Sequence, residues 1–246
     1  MDKRHLFCEI ITKQTYEKLV DFTVALPDAD KICAPGQFIH VLCGGQTFLR
    51  RPISICDVSK DTLRFIFEIR GEGTQVLSEK KVGDIVDMLA PLGHGFELTK
   101  DDENVIAIGG GIGCFPLLNA VKACGSAKAI LGFRNKEAVY DKFIEDFENV
   151  CPVDLMTDDG SAGVKGFTTQ GLEKMIADGE KISKIITCGP MVMMEKIIDI
   201  AQKNNIPCLA SFEERMGCGI GTCLCCSTKV NGQRRCICKE GPVLNF

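Results

Sequence analysis

The sequence predicts a multi-domain β plus α/β protein: an antiparallel β-barrel, a parallel-sheet α/β domain, and a small cysteine-rich lobe at the C-terminus. Three observations carry this expectation. Residues 1–99 contain short runs rich in Val, Ile, Phe and Thr separated by turn residues; residues 100–210 alternate strand-like with helix-like segments; and residues 211–246 hold six of the fifteen cysteines.

In the first region the strand-like runs are LFCEIITK, KLVDFTVAL, QFIHVLC, RPISICDV, TLRFIFEIR and DIVDMLAPL, broken by PDAD, PGQ, CGGQ and SKD. Strands of that length and spacing predict a small antiparallel barrel. GTQVLSEKK, near residues 73–81, is the one helix-like stretch there, and the polar LGHGFELTKDDEN carries the chain onward, placing a boundary near residue 100. Then NVIAIGG, AKAILGF, PVDLMTD, KIITCG and IPCLASF read as strands, with CFPLLNAVKAC, YDKFIEDFENV, FTTQGLEKMIA and PMVMMEKIIDIAQKN as intervening helices. That alternation implies βαβ crossovers and a parallel sheet. The last segment has no sustained period and too few large apolar residues to bury a core unaided, so something besides packing must hold it.

A length of 246 residues with 45% hydrophobic and 25% charged residues fits two globular domains with an appended lobe and excludes disordered or collagen-like classes. The net charge of -4 gives no electrostatic footprint for nucleic acid or anionic lipid. No apolar run reaches the roughly 18–20 residues of a membrane span, and the start MDKRHLFCEIITK has too short an apolar run for a secretory signal, so a cytoplasmic location is expected. In a reducing compartment a dense group of cysteines reads as metal-binding or catalytic, in preference to disulfides.

Cys218, Cys223 and Cys226 follow the pattern C-x4-C-x2-C, and Cys238 stands eleven intervening residues later. Such spacing suits a 2Fe-2S cluster: a glycine-rich loop, here Gly217, Gly219 and Gly221, turns the backbone around the inorganic core and directs amides at the sulfurs. Structural zinc more often uses two C-x2-4-C knuckles. Zinc, or reduced cysteines without metal, are the alternatives. Cys225 would give a cramped bite with Cys223, whereas spacing alone leaves Cys236 and Cys238 both open as the fourth ligand.

Two strand-end motifs predict a nucleotide site. Gly109-Gly110-Gly111-Ile112-Gly113-Cys114-Phe115-Pro116 follows the strand VIAI and enters a helix, so Gly111 and Gly113 allow a pyrophosphate close to main-chain amides. Pro116 replaces the third glycine of the usual dinucleotide fingerprint. Thr187-Cys188-Gly189-Pro190-Met191 ends another strand at the same sheet edge, making Cys188, Gly189, Pro190 and Met191 candidates beside a nicotinamide, although a lone strand-end cysteine is often simply buried. In the barrel, Arg51-Pro52-Ile53-Ser54 offers a guanidinium and a hydroxyl to phosphate, and Gly71-Glu72-Gly73-Thr74 forms a second anion-binding turn. An exposed arginine and a plain turn would explain either motif by itself.

Together RPIS, GEGT, GGGIGCFP, TCGP and the terminal cysteine motif resemble the ferredoxin-NADP reductase superfamily over essentially the whole chain. The order of barrel, nucleotide domain and cluster is similar to that in the family of class B dihydroorotate dehydrogenase electron-transfer subunits, with ERMGCGIGTCLCC and CKEGPV as the strongest local match. The resemblance selects Cys238 over Cys236 as fourth ligand. It implies FAD at the barrel, with Arg51 on the pyrophosphate, Pro52, Ile53 and Ser54 beside the isoalloxazine and ribityl, and Glu68, Ile69, Arg70, Gly73 and Thr74 completing the site. Related reductases often carry Tyr where Ile53 stands, and the hairpin before the last cysteine is short here.

The resemblance further implies an oxidoreductase subunit of pyrimidine biosynthesis. An FMN-containing catalytic partner, in a heterotetramer of two copies of each chain, would oxidise dihydroorotate; electrons would pass through 2Fe-2S and FAD to NAD+. No general acid or base is expected in this chain. Arg134 in GFRN could meet a 2'-phosphate, and NAD rests on the resemblance. The alternatives are the flavin and 2Fe-2S subunit of an NAD(P)H-ferredoxin or sulfide-type oxidoreductase, which resembles this chain but has Asp at the first ligand position, and a non-enzymatic zinc-binding interaction module.

Overall fold

The structure, a computed structural model, describes residues 4–230 and 232–246. The chain forms two compact units, Met1–Gly95 with Glu213–Val243, and Phe96–Phe212 with Leu244–Phe246. The cysteine-rich lobe is therefore grouped with the barrel, as a segment too poor in large apolar side chains to hold a core of its own requires.

In the first unit, β1 (Arg4–Tyr16), β2 (Leu19–Ala25), β3 (Phe38–Leu42), β4 (Arg51–Val58), β5 (Thr62–Glu68) and β6 (Ile85–Leu92) close an antiparallel barrel in the order β1-β2-β5-β4-β3-β6. All six expected strands are present. A short helix α1 (Ala29–Ile32) occupies the turn after β2, and α2 (Glu72–Ser78) ends before Glu79, Lys80 and Lys81 of the expected helix. Closure leaves no free edge, and inward residues alternate along each strand. Ile10, Phe22, Ile39, Ile55, Phe65 and Met88 are fully buried, and the Phe22 and Phe65 rings meet edge-on with centroids 5.7 Å apart. Across β2 and β5, Arg64 grips Asp21 with Nη2 2.7 Å from Oδ2 and Nε 3.0 Å from Oδ1, a two-point guanidinium–carboxylate contact.

The second unit is a parallel sheet flanked by helices. Its elements are β7 (Val105–Gly110), α3 (Leu117–Ala123), β8 (Ala127–Phe133), α4 (Asp141–Glu148), β9 (Val153–Thr157), β10 (Val164–Lys165), α5 (Thr168–Ala177), β11 (Lys184–Cys188), α6 (Met191–Lys203) and β12 (Cys208–Ser211). The strand order is β10-β9-β8-β7-β11-β12-β15, with β15 spanning Val243–Asn245. β7 to β12 pair in parallel with their neighbours. The edge is closed by Phe246, which exchanges both backbone hydrogen bonds with Cys208, the pattern of an antiparallel pair. The expected strands and helices all occur; β10 and the terminal strand were not expected, being too short to show a period.

Within the first unit, the lobe contains the hairpin β13 (Ser227–Val230) and β14 (Gln233–Cys236) and the short helix α7 (Ile237–Glu240). Two contacts seat it on the barrel. His94 N–H donates to Gly241 O at 2.6 Å, and Val243 N–H donates back to His94 O at 3.3 Å. The second contact is the His40 ring, fully buried on β3: a Cβ built at Gly219 would stand 2.5 Å from His40 Nδ1. Burial pushes the His40 imidazole down to about 4, so a neutral ring fills this junction at pH 7. Among the described residues no helix is long and apolar enough to cross a membrane.

Two consequences are testable. Gly219 has φ +69 as well as the close approach to His40, so Gly219→Ala should destabilise the first unit by roughly 1–2 kcal/mol from the left-handed backbone plus a steric part. Denaturant unfolding of Gly219→Ala paired with His40→Ala should recover the steric part only. In the second unit, Asp102 is half-buried against Lys184 Nζ and accepts from Thr99 N–H at 2.8 Å; the Lys184 hydrogen bond, then the Thr99 amide, hold its carboxyl below the usual 3.8. Because the folded value is depressed, this stabilisation is complete above the ordinary value and is lost as pH falls through the folded one. Asp102→Asn should flatten that part of the acid limb in thermal melts recorded from pH 5 downward.

Candidate functional site

At the barrel, Arg51 opens β4, and the turn after β5 brings Gly73 beneath it: a Cβ at Gly73 would lie 2.9 Å from Arg51 Nη2. The RPIS and GEGT motifs thus form one place. Arg51 is oriented by donating from Nη1 to Leu49 O at 2.6 Å. Thr74 Oγ1 accepts from Arg70 N–H at 2.9 Å and donates to Gly71 O at 3.0 Å, fixing the turn, while Arg70 Nε meets Glu68 Oε2 at 2.6 Å. Pro52 and Ser54 lie opposite His40 and Phe38 in the β3–β4 register and share their outward face. Ile53 points the other way, into the barrel core at 8% exposure, so its side chain offers little to a bound group. Ile69 is half-buried and packs against the same core.

In the α/β unit, the chain proceeds from β7 to β8 on one side and reaches β11 and β12 on the other, so the strand order reverses between β7 and β11. Ligands of open α/β sheets bind outside the carboxyl ends of the strands at such a reversal. Both strand-end motifs lie there, with Gly109 paired to Cys188 in register. A Cβ at Gly113 would come 2.6 Å from Cys188 O and from Gly189 N, and one at Gly110 2.9 Å from Pro190 Cδ. The absence of side chains is what lets the two loops touch. Gly111, at φ +56, faces open space. After β7 the backbone makes a 3-10 turn over Gly111–Cys114 before α3 begins, the tight glycine turn into a helix that the sequence predicts; Pro116 lacks the amide that an α-helix begun at Gly111 would need. Pro190 and Met191 are exposed, but Cys188 is 1% exposed and sits beneath the loop. Arg134 is exposed immediately after β8.

In the lobe, backbone amides converge on sulfur. Cys218 Sγ accepts from Ile220 N–H at 3.5 Å, Thr222 N–H at 3.3 Å and Cys223 N–H at 3.4 Å. Cys223 Sγ accepts from Cys218 N–H at 3.4 Å, Cys226 Sγ from Cys238 N–H at 3.3 Å, and Cys238 Sγ from Gly221 N–H at 3.0 Å. Positive φ at Gly219, Gly221 and Leu224 winds the loop so that these amides face inward, the concave arrangement that receives negative charge. Burial pushes the Cys218 thiol up, but the amides of Cys223 and Ile220, the Cys223 thiol and the Thr222 amide outweigh it and bring the value to about 6. Cys238 behaves oppositely: burial, then the neighbouring Cys226 and Cys236 thiols, push it up. A thiolate at that buried position therefore needs a cation beside it.

Cys218, Cys223 and Cys226, which spacing singled out, and Cys238, which the resemblance selected over Cys236, are the four whose sulfurs receive these amides, a donor set that fits a cluster with thiolate ligands. Cys225 is exposed. What spacing did not reveal is the grouping of Cys226, Cys236 and Cys238, whose sulfurs all lie within 4.8 Å of one another. Nor did it reveal His40, which carries no motif and reads from the sequence as one position of a buried strand.

The family model described as the iron-sulfur cluster binding domain of dihydroorotate dehydrogenase B matches residues 213–246. The dihydroorotate dehydrogenase B (NAD(+)) electron transfer subunit of Desulforamulus reducens is 39% identical, covering 98% of this chain and 95% of the relative. Its counterpart in Caldanaerobacter subterraneus subsp. tengcongensis is 35% identical, covering 99% and 95%. Among solved structures, one from a study of an NADH-dependent reduced ferredoxin-NADP oxidoreductase superposes with TM-score 0.84 at 29% identity, covering 97% of this chain and 87% of that one. The ferredoxin reductase of carbazole 1,9a-dioxygenase, at TM-score 0.68 and 16% identity over 84% and 67%, shares the fold. Amide-wrapped sulfurs, a reversal-point crevice and near full-length identity above 30% lead to one assignment: this chain belongs to the family of dihydroorotate dehydrogenase B electron transfer subunits.

Proposed function

We propose that this chain is the electron-transfer subunit of an NAD-dependent dihydroorotate dehydrogenase in pyrimidine biosynthesis, working in the cytoplasm with an FMN-containing catalytic subunit as a heterotetramer of two copies of each. The observation that carries the reading is the convergence of main-chain amides on the sulfurs of Cys218, Cys223, Cys226 and Cys238, in a chain whose relatives bear that function. Residues 1–99 take FAD, residues 100–210 take NAD, and residues 211–246 take the 2Fe-2S cluster. When bound, the cluster carries single electrons, and the flavin converts between these and the hydride that nicotinamide requires.

The protein's own part is binding and orientation. Arg51, fixed by Leu49 O and seated over Gly73, supplies a guanidinium for the FAD pyrophosphate. Pro52 and Ser54 present the outward face of β4, and Ile53 contributes backbone beside the isoalloxazine. Glu68, Ile69, Arg70 and the Thr74-braced turn close the other side. Gly111 leaves room for the NAD pyrophosphate, Gly113 lets the two strand-end loops close up beside it, and Gly189, Pro190 and Met191 border the nicotinamide, with Cys188 supporting them from below. Inward amides lower the cost of thiolate charge at Cys218. No side chain of this chain is required to move a substrate proton, because dihydroorotate chemistry belongs to the partner.

A second reading, the flavin and 2Fe-2S subunit of an NAD(P)H-ferredoxin oxidoreductase, is favoured by the 0.84 TM-score to a protein of that class. Purification with native partners separates the two: an FMN subunit supports the first, a larger iron-sulfur flavoprotein the second.

An anaerobic visible spectrum of the purified chain should show a flavin band with a broad iron-sulfur shoulder, both bleaching on addition of NADH and neither on addition of dihydroorotate alone. A colourless sample containing zinc would overturn the reading, and bleaching by dihydroorotate would overturn the division of labour. Arg51→Ala should weaken FAD binding by about tenfold to a hundredfold, the equivalent of one charge-assisted hydrogen bond. Flavin release on dilution, with the cluster absorbance retained, measures this.

A further inference from the structure

Cys236 is a fifth cysteine in the lobe's sulfur cluster, and its surroundings leave its thiol only one direction to act. It is buried at 8% exposure, with Sγ 3.7 Å from Cys226 Sγ and 3.9 Å from Cys238 Sγ. Its backbone is held on two sides. Strand pairing sets it opposite Ser227, the residue after Cys226, and its amide donates to Glu240 Oε2 at 2.6 Å, a carboxylate itself held by Arg235 Nη1 at 3.0 Å. Ile237 N–H donates to Cys226 O at 3.2 Å, tying the next residue to the same place.

We infer that Cys236 is a non-ligand thiol that donates its S–H to the ligand sulfurs of Cys226 and Cys238 and thereby raises the reduction potential of the cluster. This rests on the reading of Cys218, Cys223, Cys226 and Cys238 as cluster ligands. A 2Fe-2S centre takes four protein ligands, and among the described cysteines of the lobe those four sulfurs are the ones that accept main-chain amides. The amide of Cys236 is turned to a carboxylate, and its sulfur is left as a neighbour of two of the four. A thiol is a weak donor in water, but a donor facing a thiolate in a buried site gains from the charge and from the low local dielectric. Reduction adds one negative charge to the cluster, so each such donor favours the reduced form. Cys236 is a positioning residue in this account, acting through the sulfurs it touches.

The test uses the full-length chain with its cluster and flavin in place, with iron and sulfide content measured alongside an electron paramagnetic resonance redox titration of the cluster. Cys236→Ala should keep its iron and sulfide and shift the one-electron equilibrium about tenfold toward the oxidised form, a midpoint about 59 mV lower. Cys236→Val, which fills the space without a donor, should give the same lowering, whereas Cys236→Ser should return the midpoint toward that of the unaltered chain. Loss of the cluster from both Cys236→Ala and Cys236→Ser, with the fold retained by circular dichroism, would make Cys236 a ligand and overturn the inference. An unmoved midpoint in Cys236→Ala and Cys236→Val would overturn it equally. Absence of iron from the unaltered chain would instead remove the cluster reading on which it stands.

Discussion

The residues Glu213–Val243 contain too few large apolar side chains to fold around themselves, and that poverty governs how the first unit is built. The segment is ordered from outside by the barrel and from inside by its sulfurs. From outside come the His94 pairing with Gly241 and Val243 and the buried His40 ring against Gly219. From inside come amides aimed at thiols. Each amide–sulfur bond is weak, but several converging on one loop fix its path well enough that a left-handed Leu224 is tolerated, a conformation that costs roughly 1–2 kcal/mol for a residue with a Cβ.

The second unit solves a different problem with backbone alone. Two loops from adjacent parallel strands meet at the reversal of strand order, and at Gly110 and Gly113 any Cβ would push them apart. The sequence GGGIGCFP therefore departs from the usual fingerprint without losing the close approach that the fingerprint serves: Gly113 is spent on contact with the Cys188–Gly189 peptide, and Gly111 remains open.

Much of this was legible beforehand because the signals were periodic or closely spaced. Six barrel strands announced themselves as alternating runs between turn residues, and the α/β alternation gave the parallel sheet. The cysteine spacing singled out three of the four sulfurs that the amides serve and left the fourth between Cys236 and Cys238. What was hidden depended on tertiary neighbours. β10 is two residues long and carries no period. The inward direction of Ile53 follows from its register with Ile39, which no local pattern reveals. His40 owes its interest to Gly219, far away in sequence, and Cys236 to Cys226, brought beside it by the β13–β14 hairpin. The lobe's attachment to the barrel was likewise invisible, since a segment lacking a core does not say what it leans on.

The sequence positions of the four sulfurs also make the lobe's hairpin a structural joint between them. Cys218, Cys223 and Cys226 belong to one loop, whereas Cys238 comes to them by way of the paired β13 and β14 and lies in α7. A hairpin of this kind closes in about 1–10 μs, and the loop it must bridge adds little entropy with length. The fourth sulfur is thus carried at the far end of a hairpin from the other three, so its place beside them depends on the pairing of β13 with β14.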